Sequence, residues 1–312
     1  MLRAPWRNVF GPPLVVMGTA ALLSLAAAQL ATAAAFAPQL AAIAPDASDC
    51  SSVPGVAVRA VGRRSGGVPP VVQQKLDALG QFAGRNVIVR GAGRSLSISL
   101  PAESFVGAPA GDAVVYTSAV GGRSEVHVID LAAGCDVIVA RPPGIVRSAL
   151  LDPSGAAVYV HSVSNPSRQD AGVSRFALDG SAVQLVVPPL PDDPRFGVTF
   201  GTQLGWSVDG ATLFVQSCDV DSCRTRLMDV ASGAIWTYDG LGQGSIVGVS
   251  PAHVVAFGDC TGLPCSVISV DRATHASTTL ADAAWSASLA AGGDRSAIVR
   301  IETAAGIVEV NQ

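Results

Sequence analysis

The sequence predicts an all-β chain made of repeated four-stranded sheets. Three observations carry that prediction. Alternating strands recur with a glycine turn between them, a second short turn recurs upstream of each pair, and the composition is wrong for helical repeats. The 312 residues are 49% hydrophobic and only 14% charged, with 33 Gly and 20 Pro. Such a chain is neither a coiled coil nor a charged disordered tail, and it is long enough for a sizeable core.

The N-terminus reads as an export segment. Arg3 and Arg7 are the only charges before Asp46. Leu14 to Ala28 is apolar except for Gly18, Thr19 and Ser24, and Ala31-Thr32-Ala33 and Ala35-Phe36-Ala37 offer small-x-small cleavage patterns. Residues 1–37 are therefore expected to be a signal peptide or an uncleaved membrane anchor helix, with cleavage preferred, and residues 38–70 a linker and N-terminal extension. Either reading puts the body in an extracytoplasmic place, secreted or anchored. Without the two arginines the body holds 18 basic against 24 acidic residues and has no basic run, which excludes a phosphate-backbone binder and so nucleic acid. Lys75 is the sole lysine; the arginines are scattered, as coding bias would leave them.

Six cysteines agree with export. Cys218 and Cys223 have four residues between them, as do Cys260 and Cys265. Two local disulfides and a long Cys50–Cys135 bridge are the preferred pairing. A zinc site built from the two Cys-x4-Cys loops is the alternative.

The repeat is visible by alignment. Val126 to Gly134, Thr225 to Gly233 and Ile298 to Gly306 each give an alternating strand, an acidic residue (or its neighbour), a small turn and a glycine. A second strand follows each: Val137 to Ala140, Ala234 to Tyr238, Ile307 to Val310. Val173 to Gly180 and Val267 to Thr274 are looser copies. These are hairpin signatures. The upstream turns are Ala108 to Gly111, Asp152 to Gly155, Ser207 to Gly210 and Ser250 to His253, with a degenerate copy at Ser286. Four strands in a unit of about 40 residues, repeated, make a β-propeller blade.

Trp206-Ser-Val-Asp-Gly210, an apolar strand to Ser217, then Leu227-Met-Asp-Val-Ala-Ser-Gly233 resembles the WD40-like repeat of TolB-type propellers. Val208 stands where that pattern has proline. The resemblance covers about residues 105–312 and implies a fold; it implies little chemistry.

Full blades are expected at 105–144, 145–189, 200–240 and 245–282, with three strands in 283–312. Ser95 to Leu100 would supply the missing strand and make five blades. Val56 to Val61 and Asn86 to Arg90 allow a sixth, and six is favoured over five for a propeller domain spanning 71–312. Val71, Val72, Leu76, Leu79 and Phe82 predict a short amphipathic helix after Pro69-Pro70.

In such a blade of strands a to d, the a–b and c–d turns share one face. The b–c and d–a loops share the other. That second face carries the long connections, including 188–202 with its four prolines, and displays Arg168, Asp170, Asp192, Asp193, Arg195 and Phe196. These residues form a candidate site for a polar ligand, with arginine clamps and one aromatic. The plainer reading, solvated loop charges, stands beside it. Asp219 and Asp221 are too few for a calcium loop. His127, His161, His253 and His275 lie in or beside strands and read as satisfied strand histidines. Trp206 and Trp285 read as packing between blades. No metal, cofactor or local nucleophile–base motif is implied. The expected function is an exported binding module for a protein, peptide or glycan at the cell surface. The alternative is a hydrolase or lyase whose active site lies on the long-loop face.

Overall fold

The computed structural model describes residues 71–312 apart from 77–81, 92–93, 101–106, 108–112, 121–122, 131–134, 165–168, 179–181, 191–200, 220–222, 240, 242–243, 259, 261–262 and 293–295. All described residues belong to one compact unit, Pro45–Gln312. Every regular element among them is a strand.

The first sheet holds β1 (Val71–Leu76), β2 (Phe82–Gly91) and β3 (Arg94–Leu100). The second holds β4 (Ala113–Val120), β5 (Arg123–Asp130) and β6 (Cys135–Ala140). Three four-stranded sheets follow. One is β7 (Ile145–Leu151), β8 (Ala157–Val163), β9 (Asp170–Ala177) and β10 (Val183–Val187). The next is β11 (Gly201–Trp206), β12 (Thr212–Cys218), β13 (Cys223–Asp229) and β14 (Ile235–Asp239). The third is β15 (Ile246–Val249), β16 (His253–Phe257), β17 (Cys265–Asp271) and β18 (Ser277–Ala284). The last sheet has β19 (Ser286–Ala291), β20 (Ala297–Thr303) and β21 (Gly306–Asn311). Each is an antiparallel meander in chain order.

The core shows why these sheets form a propeller and not a sandwich. Apolar residues fall into successive slabs, each shared by two consecutive sheets. Val115, Val126 and Val128 meet Leu151, Val158 and Val160. Ala157 and Tyr159 meet Leu213, Val215 and Met228 from the other side of β8. Phe214 and Leu227 meet Val249 and Val254, and Val255 and Val267 meet Val299 and Ile301. A sheet with both faces covered must bury every position of its inner strands, and all seven residues of β8 are buried. The last strands β10 and β18 are mostly exposed. The leading strands also meet in series, β7 with β11, β11 with β15 and β15 with β19, and β4, the second strand of its blade, meets β7. Leading strands inside and final strands outside are the radial order of propeller blades.

Side chains tie the inner strands together across blades. Trp206 Nε1 donates to Leu151 O at 2.7 Å, and its ring meets Tyr159 edge-on at 5.0 Å. Gln203 bonds both backbone groups of Ile246, giving to its carbonyl at 2.6 Å and accepting from its N–H at 2.9 Å. The expected inter-blade role of Trp206 therefore holds. Trp285 differs, being 49% exposed.

The hairpins expected from the repeat are present as β5–β6, β9–β10, β13–β14, β17–β18 and β20–β21. The upstream turns join β7 to β8 and β11 to β12, where Gly155 N donates to Asp152 O and Gly210 N to Ser207 O, both at 2.8 Å. Both glycines have positive φ, 73° and 72°, which their missing Cβ permits. In the hairpin turns Gly233 of β13–β14 has φ 72°, and His275 takes the equivalent left-handed position of β17–β18 at φ 61°.

Three expectations are corrected. Residues 71–82 were expected to be helical, yet 71–76 form β1, paired with β2 from Val71↔Ile88 to Leu76↔Phe82. Helical spacing over so short a segment is marginal by itself, and a neighbouring strand edge outweighs it. The turn expected at Ser286 is instead strand β19; the chain turns later, where Gly292 N donates to Ser296 O. Ser95 to Leu100 pair with β2 in the first sheet, not with the last sheet. The 105–144 unit shows three strands, with Gly107 alone of 101–112 described, its N–H on Val115 O at 2.9 Å. The signal or anchor segment lies outside the described residues. Among those described, no helix is long and apolar enough to cross a membrane.

Replacing Trp206 by Phe should cost about 1–3 kcal/mol in denaturant unfolding, because Leu151 O then loses its donor in a half-buried place. A change below a few tenths would show that the clamp contributes nothing.

Candidate functional site

The long-loop end of the blades is built on one buried polar position. Counting along the second strand of successive blades, the fifth residue is Thr117 in β4, His161 in β8 and Gln216 in β12. All are buried. Gln216 Nε2 reaches Gly244 O of the next connection at 3.0 Å. His161 reaches Asp170, the first residue of β9, with Nε2 to Oδ1 at 2.5 Å. Strand alternation explains the direction: Ala157, Tyr159 and His161 share the face turned to the β11–β14 blade.

Asp170 is the centre of this cluster. Arg226 of β13 lies 3.0 Å away through Nη2, and Ser217 of β12 donates to Asp170 Oδ1 at 3.3 Å. The second carboxylate oxygen accepts Leu190 N–H at 2.7 Å, and Arg226 Nη1 donates to Pro188 O at 2.5 Å. The carboxylate is 2% exposed and the guanidinium 4%. One buried cluster thus joins two blades and fixes both polar backbone groups at the root of the 188–200 connection. A buried charge is tolerable only when paired and hydrogen-bonded; Asp170 and both Arg226 Nη atoms are so held, while Arg226 Nε has no partner among the described residues.

Burial would raise the Asp170 carboxyl. The hydrogen bond and charge of His161, the charge of Arg226 and the Leu190 N–H outweigh it and bring the group down to about 2. Burial pushes Arg226 down from its usual value, and Asp170 opposes this.

Of the residues expected to face a ligand, Asp170 lies at the expected end of its blade, but its carboxylate is turned inward and spent on this cluster. Arg168, Asp192, Asp193, Arg195 and Phe196 lie outside the described residues, as does Asp221. Asp219 is half-buried. Sequence reasoning missed Arg226 and Ser217, because nothing in a strand that also carries Arg224, Thr225 and Asp229 points to a partner 56 positions earlier.

Cys218–Cys223 and Cys260–Cys265 are disulfides, as preferred over zinc. Each closes a loop between the second and third strands of its blade. The Cys50–Cys135 pairing lies outside the described side chains. No group of three His, Cys, Asp or Glu among the described residues is placed to hold a metal. His161 is a buried strand histidine, as expected, but it is satisfied only through Nε2; its Nδ1 is buried without a hydrogen-bond partner among the described residues.

No protein-family profile matches the chain, and no curated protein matches it. Solved structures do. TolB from Acinetobacter baumannii is similar at 11% identity over 78% of this chain and 64% of that one, with a TM-score of 0.47. The β-propeller domain of the Trilobed protease from Pyrococcus furiosus is similar at 9% identity over 80% of this chain and 82% of that one, TM-score 0.49. A prolyl endopeptidase is similar at 18% identity over 78% of this chain, TM-score 0.49. The chain spans 64% of that TolB and 43% of that endopeptidase. The propeller itself is established by this chain's own sheet order and core.

Asp170→Asn should lower stability by about 3–5 kcal/mol at pH 7, since Arg226 stays buried without its counter-charge. The folded carboxyl titrates near 2 and the unfolded one near 3.8, so its stabilisation is complete above about pH 4 and lost as pH falls toward 2. Urea unfolding across that range should show wild type and variant converging; a constant gap would contradict the charge assignment. Replacing Cys218 and Cys223 together by Ser should cost about 2 kcal/mol by the loop-entropy relation. Unfolding under non-reducing conditions measures it.

Proposed function

We propose that this chain is an exported six-bladed β-propeller, formed by residues 71–312, that binds a protein or peptide partner outside the cytoplasm through its long-loop face. Residues 1–37 act as the export signal or anchor and 38–70 as the linker. The six antiparallel sheets support the blade number. The two disulfides support the compartment.

One observation carries the choice of face. Asp170, His161 and Arg226, three buried polar or charged side chains, fix the start of a long proline-rich connection that needs no such anchoring merely to join two blades. A rigid scaffold that fixes the root of a loop suits recognition, because ordering a loop otherwise opposes binding. Arg168, Asp192, Asp193, Arg195 and Phe196 are the contact residues of this reading, with charges for steering and an aromatic anchor. A glycan ligand would use the same residues.

A photo-crosslinking amino acid placed at Arg195 or Phe196 of the exported protein, irradiated in its own cells, should give discrete higher-mass adducts. The same residue placed at Asp209, on the tight-turn face, should give none. Equal yields at the two faces, or none at either, would overturn the reading.

A further inference from the structure

The b, c and d strands of the 113–140 blade carry a second polar cluster that the binding role leaves unused. Tyr116 and Ser118 lie on β4, Glu125 and His127 on β5, and Asp136 on β6. Strand alternation puts them on one face, opposite Val115, Val126 and Val128. The Ser118 hydroxyl lies 3.1 Å from His127 Nε2. His127 Nδ1 lies 3.2 Å from Asp136 Oδ1. Tyr116 donates its hydroxyl to Asp136 Oδ2 at 2.5 Å and stacks on the imidazole, with ring centroids 4.5 Å apart.

These contacts assign roles. Nδ1 faces Asp136 Oδ1 at 3.2 Å and the Tyr116 hydroxyl oxygen at 3.1 Å, whose own proton goes to Asp136; with the imidazole proton on that side, the Nε2 lone pair faces the serine hydroxyl. Tyr116 fixes the carboxylate and the ring plane. Its hydroxyl keeps its proton, because burial and then the bond to Asp136 push its ionisation up. Glu125 Oε2 is 3.6 Å from Nε2, but its other oxygen is held by Arg141 Nε at 2.9 Å. His127 is 12% exposed and Ser118 half-buried, at the end where β4 passes into β5.

We propose that Ser118, His127 and Asp136 form a nucleophile, base and orienting acid that hydrolyse an activated acyl ester. Ser118 Oγ adds to the acyl carbon while its proton passes to His127 Nε2. The carbon–oxygen bond to the alcohol then breaks, and the alcohol leaves with that proton. Water, deprotonated by the same nitrogen, attacks the acyl-serine; the acid departs and the serine regains its proton. Ester and water thus become acid and alcohol, with no other reactant. The cluster lies at the b–c end of the 113–140 blade, the same face as the proposed partner contact but with none of its residues, so either activity can fail alone.

The test uses the whole exported chain. Incubation with a fluorophosphonate should add one adduct by intact mass, mapped to Ser118, and p-nitrophenyl acetate should be turned over. Ser118→Ala should abolish both. Asp136→Asn should slow them on the order of 10³–10⁴-fold, the cost of the wrong imidazole tautomer. Ser154→Ala, an exposed hydroxyl beside Asp152 with no imidazole near, should change neither. Labelling of the folded wild type elsewhere than Ser118, or no labelling at all, overturns the proposal. So does an undiminished rate in His127→Gln that melts like wild type.

Discussion

The constraint on which this structure depends is that a sheet with two apolar faces must be covered twice. β8 offers no exposed face at all, so the 145–187 sheet sits between two others, and each of those is subject to the same demand. Stacking in series with inner strands close and outer strands apart satisfies every sheet without a single central core. The slabs are filled by small β-branched residues, mostly valine, which suit a pleated surface and leave the blades close together. Low aromatic content is thus a consequence of the spacing between sheets. Where an aromatic does occur inside, as at Trp206, its polar atom finds a neighbouring blade's carbonyl.

That arrangement leaves polar chemistry to the ends of the blades. At the fifth position of the second strand a polar side chain is buried: Gln216 reaches the connection to the next blade, and His161 reaches Asp170 of its own blade, which Arg226 and Ser217 of the next blade join. In one blade this became a charged cluster with Asp170 at its centre. In the preceding blade the opposite face of the sheet gathered Ser118, His127 and Asp136 from adjacent strands. The two clusters differ in kind. The first is closed and bonded to loop backbone, and its character is structural. The second keeps a hydroxyl against an imidazole nitrogen near a blade end, and its character is chemical.

Much of the fold was legible because turns are local. Asp152-Pro153-Ser154-Gly155 and Ser207 to Gly210 specify their own backbone bonds, and the hairpin glycines mark positions other residues occupy only under strain. The short cysteine spacings specified their own bridges for the same reason. What misled was any segment whose partner lies elsewhere. Residues 71–76 carry a spacing that serves helix or strand, and β2 decides between them. Ser286 looks like a turn until β20 pairs with it. Asp170 looked like a displayed loop charge because nothing nearby in sequence shows that Arg226 and His161 converge on it.

The chain by itself determined that it is built of repeated meanders, where most of those meanders turn and which cysteines close the short loops, since each of these depends on residues within a few positions of one another. Only the tertiary structure decided which side chains meet across strands and blades, the Asp170 cluster and the Ser118–His127–Asp136 row among them. The reason is physical: contacts between strands are fixed by register and by the stacking of whole sheets, and those are set by the summed packing of many residues, which no short stretch of sequence contains.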